Sequence, residues 1–264
     1  MTQPTTYPVF AQGLPDPFDG PGKYKLRFAS TLAELEAVQR LRFEVFNLEL
    51  GEGLEESYAT GLDQDRFDPV SHHLMIADAE TGKVVGTYRI QTLEMAEAHG
   101  GFYSADEFDL QGLPADVLAN AIEIGRASVA LECRNQKVLF LLWRGLAAYM
   151  QKNAKRFLFG CCSLTSQDPA DGKWVMDYLE EHDHCHPQCV VQPQPDWACY
   201  EAGFDPGPPR EKIKLPKLFR TYMRYGAKVC GPPAIDRIFK TIDYLVLLDA
   251  DELDGITRAL FFAR

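Results

Sequence analysis

The most informative part of this chain for its fold is the stretch Ala121-Ile122-Glu123-Ile124-Gly125-Arg126-Ala127-Ser128-Val129-Ala130. Its residues favour a strand, and the alternation of a strand places Ile122 and Ile124 on one face and Glu123 on the other. A charged residue inside a strand is uncommon unless it is paired or functional. The stretch therefore predicts a strand that carries a candidate site residue, Glu123.

A basic turn and a helix follow this strand. Residues 133–159 contain six basic residues and no acid, and apolar residues recur at helical spacing over Val138–Asn153. Phe157–Cys162 is the next predicted strand, so a helix crosses between two strands. His73–Asp78 and Val84–Leu93 form a predicted hairpin earlier in the chain. Together these elements predict an α/β fold, a mixed sheet flanked by helices in a single domain.

The remaining predicted elements complete this domain and extend it. They are the strands Lys25–Ala29 and Tyr244–Leu248, a helix from the capping box of Thr31 and Glu34 to about Phe46, and helices Lys173–Glu181, Leu218–Tyr225 and Leu253–Phe262. We expect residues 1–22 to form a flexible or draped N-terminal arm, residues 23–250 the domain, and residues 251–264 a C-terminal helical extension.

Composition places the chain among soluble globular proteins. It has 264 residues, of which 46% are hydrophobic and 25% are charged. No run of 18 apolar residues is present, and the first twenty residues lack the features of a signal peptide. Seven cysteines without framework spacing suit a reducing compartment, so we expect a cytoplasmic protein.

The charge of the chain is unevenly distributed. A net charge of −11 argues against nucleic acid as a partner. Residues 133–159 and 210–228 nevertheless hold thirteen of the 27 basic residues and one of the 38 acids. These two segments predict local contact with an acidic partner or an anionic surface, and the alternative is two solvated helix faces.

A series of strings carries a resemblance to a known family. In chain order they are Leu41–Phe46, Asp63–Asp68, Val84–Arg89, Phe102–Phe108, Glu123–Arg126, Leu141–Leu146, Phe159–Leu164 and Leu215–Leu218. They resemble the ornithine acyl-carrier-protein N-acyltransferases, often labelled hemolysin-like, of the Gcn5-related N-acyltransferase (GNAT) fold. The resemblance implies transfer of a 3-hydroxylated long-chain acyl group to the α-amino group of ornithine or a related amino acid, which gives a lyso-ornithine lipid.

The same resemblance implies the partners. They are acyl carrier protein, whose phosphopantetheine thioester is the donor substrate, and an amino-acid acceptor. We expect no bound cofactor, no metal and no nucleic acid, and a peripheral contact with the inner membrane is open. A non-catalytic lipid- or membrane-binding protein, as the label hemolysin-like suggests, is an alternative from another functional class.

The chain is also similar to the acyl-homoserine-lactone synthases, a second alternative. Their spaced pattern maps onto Arg42, Phe46, Asp65, Asp68, Arg89, Glu123 and Arg126. The tryptophan that these enzymes carry after the first helix has no counterpart here, which weakens that alternative.

Chemistry assigns roles to the matched positions. An ammonium cannot attack a thioester, so a base near the amine is useful, and Glu123 is the best candidate. The alternative for Glu123 is a buried ion pair with Arg126 or Arg89. The resemblance implies that a backbone N–H of the same strand meets the oxyanion.

The turn after the strand points to the donor. It reads Arg134-Asn135-Gln136-Lys137 and has no glycine, whereas a bare pyrophosphate needs the close backbone approach that glycine permits. Arg134 and Lys137 could meet the single phosphodiester of a carrier protein, with Arg144 on the helix beyond. The sequence therefore favours an acyl carrier protein over coenzyme A.

Three further groups of residues have candidate roles. Arg42, Asp65, Asp68 and Arg89 are expected to form a polar network that orders residues 48–71, and the alternative is surface salt bridges of at most about 1 kcal/mol each. A set of apolar residues lines an acyl tunnel or belongs to the core, namely Phe43, Phe46, Phe140, Leu142 and Trp143. The histidines and cysteines of 182–189 fit no standard zinc spacing.

Overall fold

The computed structural model describes residues 7–20, 22–209 and 213–262. Its strands are β1 (Phe18–Asp19), β2 (Tyr24–Phe28), β3 (His72–Asp78), β4 (Val84–Thr92), β5 (Phe108–Asp109), β6 (Ala121–Val129), β7 (Phe157–Leu164), β8 (Gln192–Pro193), β9 (Lys228–Val229), β10 (Ala234–Asp236) and β11 (Thr241–Asp249). Its α-helices are α1 (Leu32–Phe43), α2 (Ser57–Thr60), α3 (Leu93–Ala98), α4 (Ala115–Ala119), α5 (Gln136–Lys152), α6 (Pro169–Glu181), α7 (Lys217–Arg224) and α8 (Gly255–Phe262).

The chain divides into two compact units. Unit 1 comprises Met1–Gly101, Ile122–Lys155 and Gly255–Arg264. Unit 2 comprises Phe102–Ala121 and Arg156–Asp254.

Unit 1 is built on five antiparallel strands in the order β1, β2, β3, β4 and β6. Helix α5 packs on β2, β3 and β4. Gly145 permits this close approach, because a Cβ at that position would lie 2.6 Å from Leu74 and 2.7 Å from Leu26. Leu26 and Leu74 are fully buried, so the core of unit 1 lies between α5 and these strands.

One irregularity interrupts the pairing of β4 with β6. Thr87 pairs with Ser128 and Arg89 pairs with Gly125, so two residues of β6 stand opposite the single residue Tyr88. This is a β-bulge, and bulges are common next to active sites because they redirect a side chain. Arg126, the first bulged residue, has a φ of 51°.

Unit 2 is built around β11, which pairs antiparallel with β7 on one side and with β10 and β9 on the other. The hydroxyl of Tyr244 on β11 donates to the carbonyl of Gly172 in α6 at 2.8 Å. Phe219 of α7 packs on the ring of Tyr244 at 5.5 Å between centroids. These contacts fix α6 and α7 on the strands of unit 2.

The predicted strands and helices are confirmed in type, and the differences are at their ends. Thr31 caps α1 by accepting from the N–H of Glu34, and Glu34 returns to Ser30 rather than to Thr31. The helical path continues beyond Phe43 as a π-helical turn, Glu44–Glu49. Helix α6 begins four residues before Lys173, because Asp168 caps it and a proline follows.

The basic helix begins two residues earlier and ends one residue earlier than the predicted Val138–Asn153. Helix α5 ends at Lys152, so Lys155 and Arg156 lie after it. Both are paired, Lys155 with Glu94 at 2.9 Å and Arg156 with Asp249 at 2.5 Å. Two of the six basic residues of 133–159 are therefore paired within the protein.

The described residues of the predicted N-terminal arm contact the rest of unit 1. The hydroxyl of Tyr7 donates to the carbonyl of Ser71, and the side chain of Asn153 donates to the carbonyl of Gly13. Residues 1–6 and 21 of the arm lie outside the described residues. Within the part of the chain that the structure describes, no helix has the length and apolar character needed to cross a membrane.

Candidate functional site

Glu123 lies on the same face of the unit 1 strands as Arg89. It stands opposite Gln91, and Gly125 stands opposite Arg89. Residues directly opposite one another in an antiparallel pair, and residues two apart in a strand, project from the same face. Glu123 is only 6% exposed, so the face that holds this acid is buried as well as the apolar face of Ile122 and Ile124.

Gly125 leaves space on this face. A Cβ built at Gly125 would have no described atom within 4 Å. The open volume lies directly opposite Arg89 and two residues along the strand from Glu123. A small group can therefore approach the strand between the buried carboxylate of Glu123 and the buried guanidinium of Arg89.

Arg126 reaches the segment that precedes β3. Its Nη2 donates to Oδ2 of Asp65 at 2.9 Å, and its Nε lies 3.7 Å from Oδ2 of Asp63. A positive φ is unfavourable for a residue with a side chain, so the surrounding contacts must hold it. These ion pairs and the bulge together fix the position of the guanidinium.

Arg42 forms the buried centre of the network. Its side chain is fully buried; Nε donates to Asp63 at 2.6 Å, and the two terminal nitrogens donate to Asp68 at 2.7 and 3.1 Å. Gln39, one turn earlier on α1, also donates to Asp68 at 3.0 Å. Helix α1 is thereby tied to both ends of the segment 63–68.

Arg89 connects the strand to the same acids. Its Nη1 lies 2.6 and 2.7 Å from the two oxygens of Asp65 and 3.1 Å from Asp68. The structure therefore brings the four expected network residues together and adds Arg126 and Asp63. Three arginines face three aspartates inside the protein, so these contacts are not surface salt bridges.

The network keeps the carboxylates of Asp65 and Asp68 ionised. Burial alone would raise the pKa of Asp65, but the charges of Arg89 and Arg126 hold that pKa well below its usual range. Burial likewise opposes ionisation of Asp68, and Arg42 lowers its pKa. The charges in the network balance as three against three.

The sequence assigned no role to His73, which lies in the same row as Arg89 and Gly125. Its Nε2 is 3.1 Å from the carbonyl of Asp68, and burial lowers its pKa to about 4. His73 is therefore neutral at pH 7 and adds no charge to the network. Its place as the second residue of a strand gave no signal of this contact.

The donor turn is exposed, and one of its basic residues is already occupied. Arg134 makes a two-point contact with Glu49 at 2.5 and 2.6 Å and donates from Nε to the carbonyl of Val129. Lys137 is exposed in the first turn of α5. Arg144 lies two turns further on, 5.7 Å over the ring of Phe18, and does not join them.

Phe46 lies in the π-helical turn after α1 and is half-buried. Its carbonyl accepts from the N–H of Glu52 at 2.9 Å, which begins the path of residues 48–71. The other proposed tunnel residues Trp143 and Leu142 are buried, and Trp143 stacks on Phe261. The core interpretation therefore fits Trp143 and Leu142.

Unit 2 contains a cluster that the sequence did not predict. One carboxylate oxygen from each of Glu107, Asp236 and Asp243 lies within 4.8 Å of the others, and all three residues are buried. Among the described residues, no other group of three or more potential metal ligands lies this close together. The described histidines and cysteines of 182–189 therefore form no such group. Burial, with a further contribution from Asp236, raises the pKa of Asp243 to about 6.

The second basic segment does not offer an amphipathic face. In α7 and the residue pair before it, Leu215, Phe219, Tyr222 and Met223 are buried in unit 2. The exposed side is basic and consists of Lys214, Lys217, Arg220 and Arg224. The protein's own core covers these four apolar residues, which leaves the basic side of the segment for contact with an anionic surface. Residues 210–212 of the segment lie outside the described residues.

Comparisons with known proteins agree on the fold and on the kind of chemistry. A family model described as "Acetyltransferase (GNAT) domain" matches residues 41–144. The chain is 33% identical over 248 residues to an L-ornithine N(alpha)-acyltransferase of Brucella abortus, covering 89% of this chain and 87% of that one. It is 30% identical over 252 residues to an L-ornithine N(alpha)-acyltransferase of Rhodobacter capsulatus, covering 92% of this chain and 96% of that one.

A solved structure is also similar. It is the coenzyme-A-dependent acyl-homoserine lactone synthase BjaI with MTA, with a TM-score of 0.49 and 14% identity over 87% of this chain and 81% of that chain. The predicted GNAT fold is confirmed by the family match, which begins at the end of α1 and spans the hairpin, β6 and the donor turn.

Proposed function

The chain belongs to the L-ornithine N(alpha)-acyltransferase family, and from that premise we propose that it transfers a 3-hydroxylated long-chain acyl group from acyl carrier protein to the α-amino group of ornithine. The family predicted from the sequence is confirmed, and the chain is an acyltransferase. This membership favours an enzyme over a non-catalytic lipid-binding protein. The product of the proposed reaction is a lyso-ornithine lipid.

Glu123 carries the chemistry in this proposal. It accepts a proton from the ammonium, directly or through one water, and the neutral nitrogen attacks the thioester carbonyl. The C–N bond forms, the C–S bond breaks, and the departing thiolate takes a proton. The observation that supports this role is a buried carboxylate on a strand face with open space beside it at Gly125.

The oxyanion forms at the same strand. Backbone N–H groups are effective there because they need not reorganise during the reaction. The bulge at Arg126 and Ala127 interrupts the regular pairing of β6 with β4. We assign the oxyanion donor to a backbone N–H of this segment, and the guanidinium network holds the segment in place.

The donor assignment rests on the turn before α5. Asn135 caps the helix by accepting from the N–H groups of Lys137 and Val138, and the turn contains no glycine. A single phosphodiester needs fewer converging N–H groups than a pyrophosphate does. Arg134 and Lys137 supply the positive charge for it, and a carrier protein supplies the rest of the contact surface.

A peripheral membrane contact completes the proposal. The lipid product must reach a bilayer, and the exposed row of α7 presents three basic residues at i, i+3 and i+7, namely Lys217, Arg220 and Arg224. None of the three forms an ion pair with a described residue. Such a row attracts an anionic surface by charge alone.

The test of the proposed function is a direct assay. Acyl carrier protein thioester is incubated with the protein and single amino acids, and N-acyl product is measured by mass spectrometry. We expect product with ornithine above the other amino acids. Transfer from acyl-coenzyme A alone would overturn the donor assignment, and a lactone formed with S-adenosylmethionine would identify the homoserine-lactone alternative.

A further inference from the structure

Glu49 occupies the guanidinium of Arg134. Both terminal nitrogens of Arg134 donate to the carboxylate, at 2.5 and 2.6 Å, and its Nε donates to the carbonyl of Val129 at 3.1 Å. Two parallel N–H···O contacts are also the geometry by which arginine binds a phosphate. The carboxylate of Glu49 therefore stands where two phosphate oxygens would bind.

We propose that Glu49 is a displaceable stand-in for the phosphate of the donor's pantetheine arm. It keeps Arg134 oriented in the free protein and gives way when the phosphodiester arrives. The inference rests on the proposed function, because it takes the donor turn to be the site of the pantetheine phosphate. It adds a residue, Glu49, that sets the affinity for the donor.

The exposure of the pair makes displacement feasible. The side chains of Arg134 and Glu49 are 36% and 28% exposed. Ion pairs that water can reach contribute little net stability, because the charges are already solvated when they separate. The anchor to Val129 is to a backbone carbonyl, so it persists when the carboxylate leaves and keeps the guanidinium at the turn.

The surroundings of the pair suit a protein partner. Leu48 and Leu50 flank Glu49 in the chain and are 62% and 44% exposed, and Leu131, whose carbonyl accepts from the N–H of Arg134, is 65% exposed. Exposed apolar side chains beside charged residues are typical of a surface that binds another protein. We call these three leucines, with Glu49 and Arg134, the donor face. Its occupant is the acidic carrier protein, whose charge complements Arg134 and Lys137.

The chain supplies a matched control. Glu132 lies on the same turn and is exposed, but it pairs with Lys83 at 3.4 Å and not with Arg134. Its removal changes the net charge by the same amount as removal of Glu49. A comparison of Glu49→Gln with Glu132→Gln therefore separates release of Arg134 from a general reduction in repulsion of an acidic partner.

The experiment measures the affinity of the full-length protein for holo carrier protein, apo carrier protein without the arm, and acyl-coenzyme A. We expect Glu49→Gln to bind holo carrier about two- to fivefold more tightly than wild type, which corresponds to about 0.4–1 kcal/mol at about 1.4 kcal/mol per tenfold change. Apo carrier should be bound equally by both, and Glu132→Gln should match wild type. In the double variant with Arg134→Ala the gain should disappear.

Other results would overturn the inference. Weaker holo-carrier binding by Glu49→Gln would make Glu49 a supporting residue, and an equal gain with apo carrier would assign the effect to net charge. A gain with acyl-coenzyme A only would overturn the carrier as the source of the phosphate. Failure of the proposed function is distinguishable, since neither wild type nor Glu49→Gln would then give N-acyl product.

Discussion

Arg126 lies on a β-bulge with a φ of 51°, and its guanidinium reaches Asp65 at 2.9 Å across 61 positions of the chain. Asp65 also binds Arg89 at 2.6 Å, so one carboxylate stands between two guanidiniums from neighbouring strands. This relationship couples the conformation of β6 to the segment 63–68. It explains how an unfavourable backbone angle is held beside the candidate base Glu123.

Replacing Asp65 should destabilise the protein strongly. Asp65→Asn removes the charge between Arg89 and Arg126 and leaves two buried cations with fewer acids, and loss of one partner of a buried ion pair costs about 3–5 kcal/mol. We expect a loss of about 3 kcal/mol in urea unfolding, because the carboxylate of Asp65 is 14% exposed. The control is Glu36→Gln, which breaks only the exposed pair with Arg40. A loss no larger than that of the control would contradict a structural role for the network.

Replacing Glu123 should strongly reduce turnover but keep the fold. Glu123→Gln preserves the shape of the side chain and removes the proton acceptor, and positioned bases contribute about 10²- to 10⁴-fold to rate. We expect kcat for acyl transfer to fall at least about 100-fold, with KM for the carrier thioester nearly unchanged. Glu132→Gln serves as the control for handling and charge. Full turnover in Glu123→Gln would show that Glu123 is only a partner in an ion pair.

Local patterns were sufficient to predict most of the fold. Alternating apolar residues predicted β3, β4 and β6, and the cap at Thr31 predicted the start of α1. The short helix α3 was missed, since Thr92 caps it inside a segment that reads as a continuing strand. The bulge at Arg126 was not predicted, because it depends on how β6 pairs with β4 and the pattern within one strand does not show that pairing.

The site was predictable only where a family pattern supplied it. The resemblance singled out Arg42, Asp65 and Arg89, and the structure brings them together. It did not single out Glu49 as the partner of Arg134, because the two lie 85 positions apart and no spacing rule relates them. Periodicity also identified the apolar residues of α7 without identifying what covers them.

The carboxylate cluster of unit 2 should make stability depend on pH. Burial first, and Asp236 in addition, raise the pKa of Asp243 from 3.8 to about 6 in the folded protein. A raised carboxyl pKa means that the folded state binds a proton more tightly, so this stability is complete below about pH 4 and is lost as the pH rises through 6.

Asp243→Asn carries no ionisable group and should not show this loss. The difference in free energy of unfolding between Asp243→Asn and wild type should shift in favour of the variant by up to about 3 kcal/mol from pH 4 to pH 8. Each pKa unit corresponds to about 1.4 kcal/mol. Urea unfolding at both pH values measures the change. Asp116→Asn, at an exposed position of α4, should show no such trend. A constant difference between Asp243→Asn and wild type would show that the pKa of Asp243 is not raised in the folded protein.

The exposed basic row should bind anionic membranes through charge alone. Since the apolar residues Phe219, Tyr222 and Met223 of α7 are buried, they are not available to insert into a bilayer, and the attraction must fall as salt screens it. Reversal of Lys214, Lys217 and Arg220 to glutamate should abolish sedimentation with vesicles containing anionic lipid and leave the soluble acyl-transfer assay unchanged. Reversal of the exposed residues Lys25, Arg40 and Lys152 gives the same net charge on other surfaces and should reduce binding much less. Wild-type binding to zwitterionic vesicles, or binding that persists at about 1 M salt, where the Debye length is about 3 Å, would show that insertion rather than charge holds the protein to the membrane.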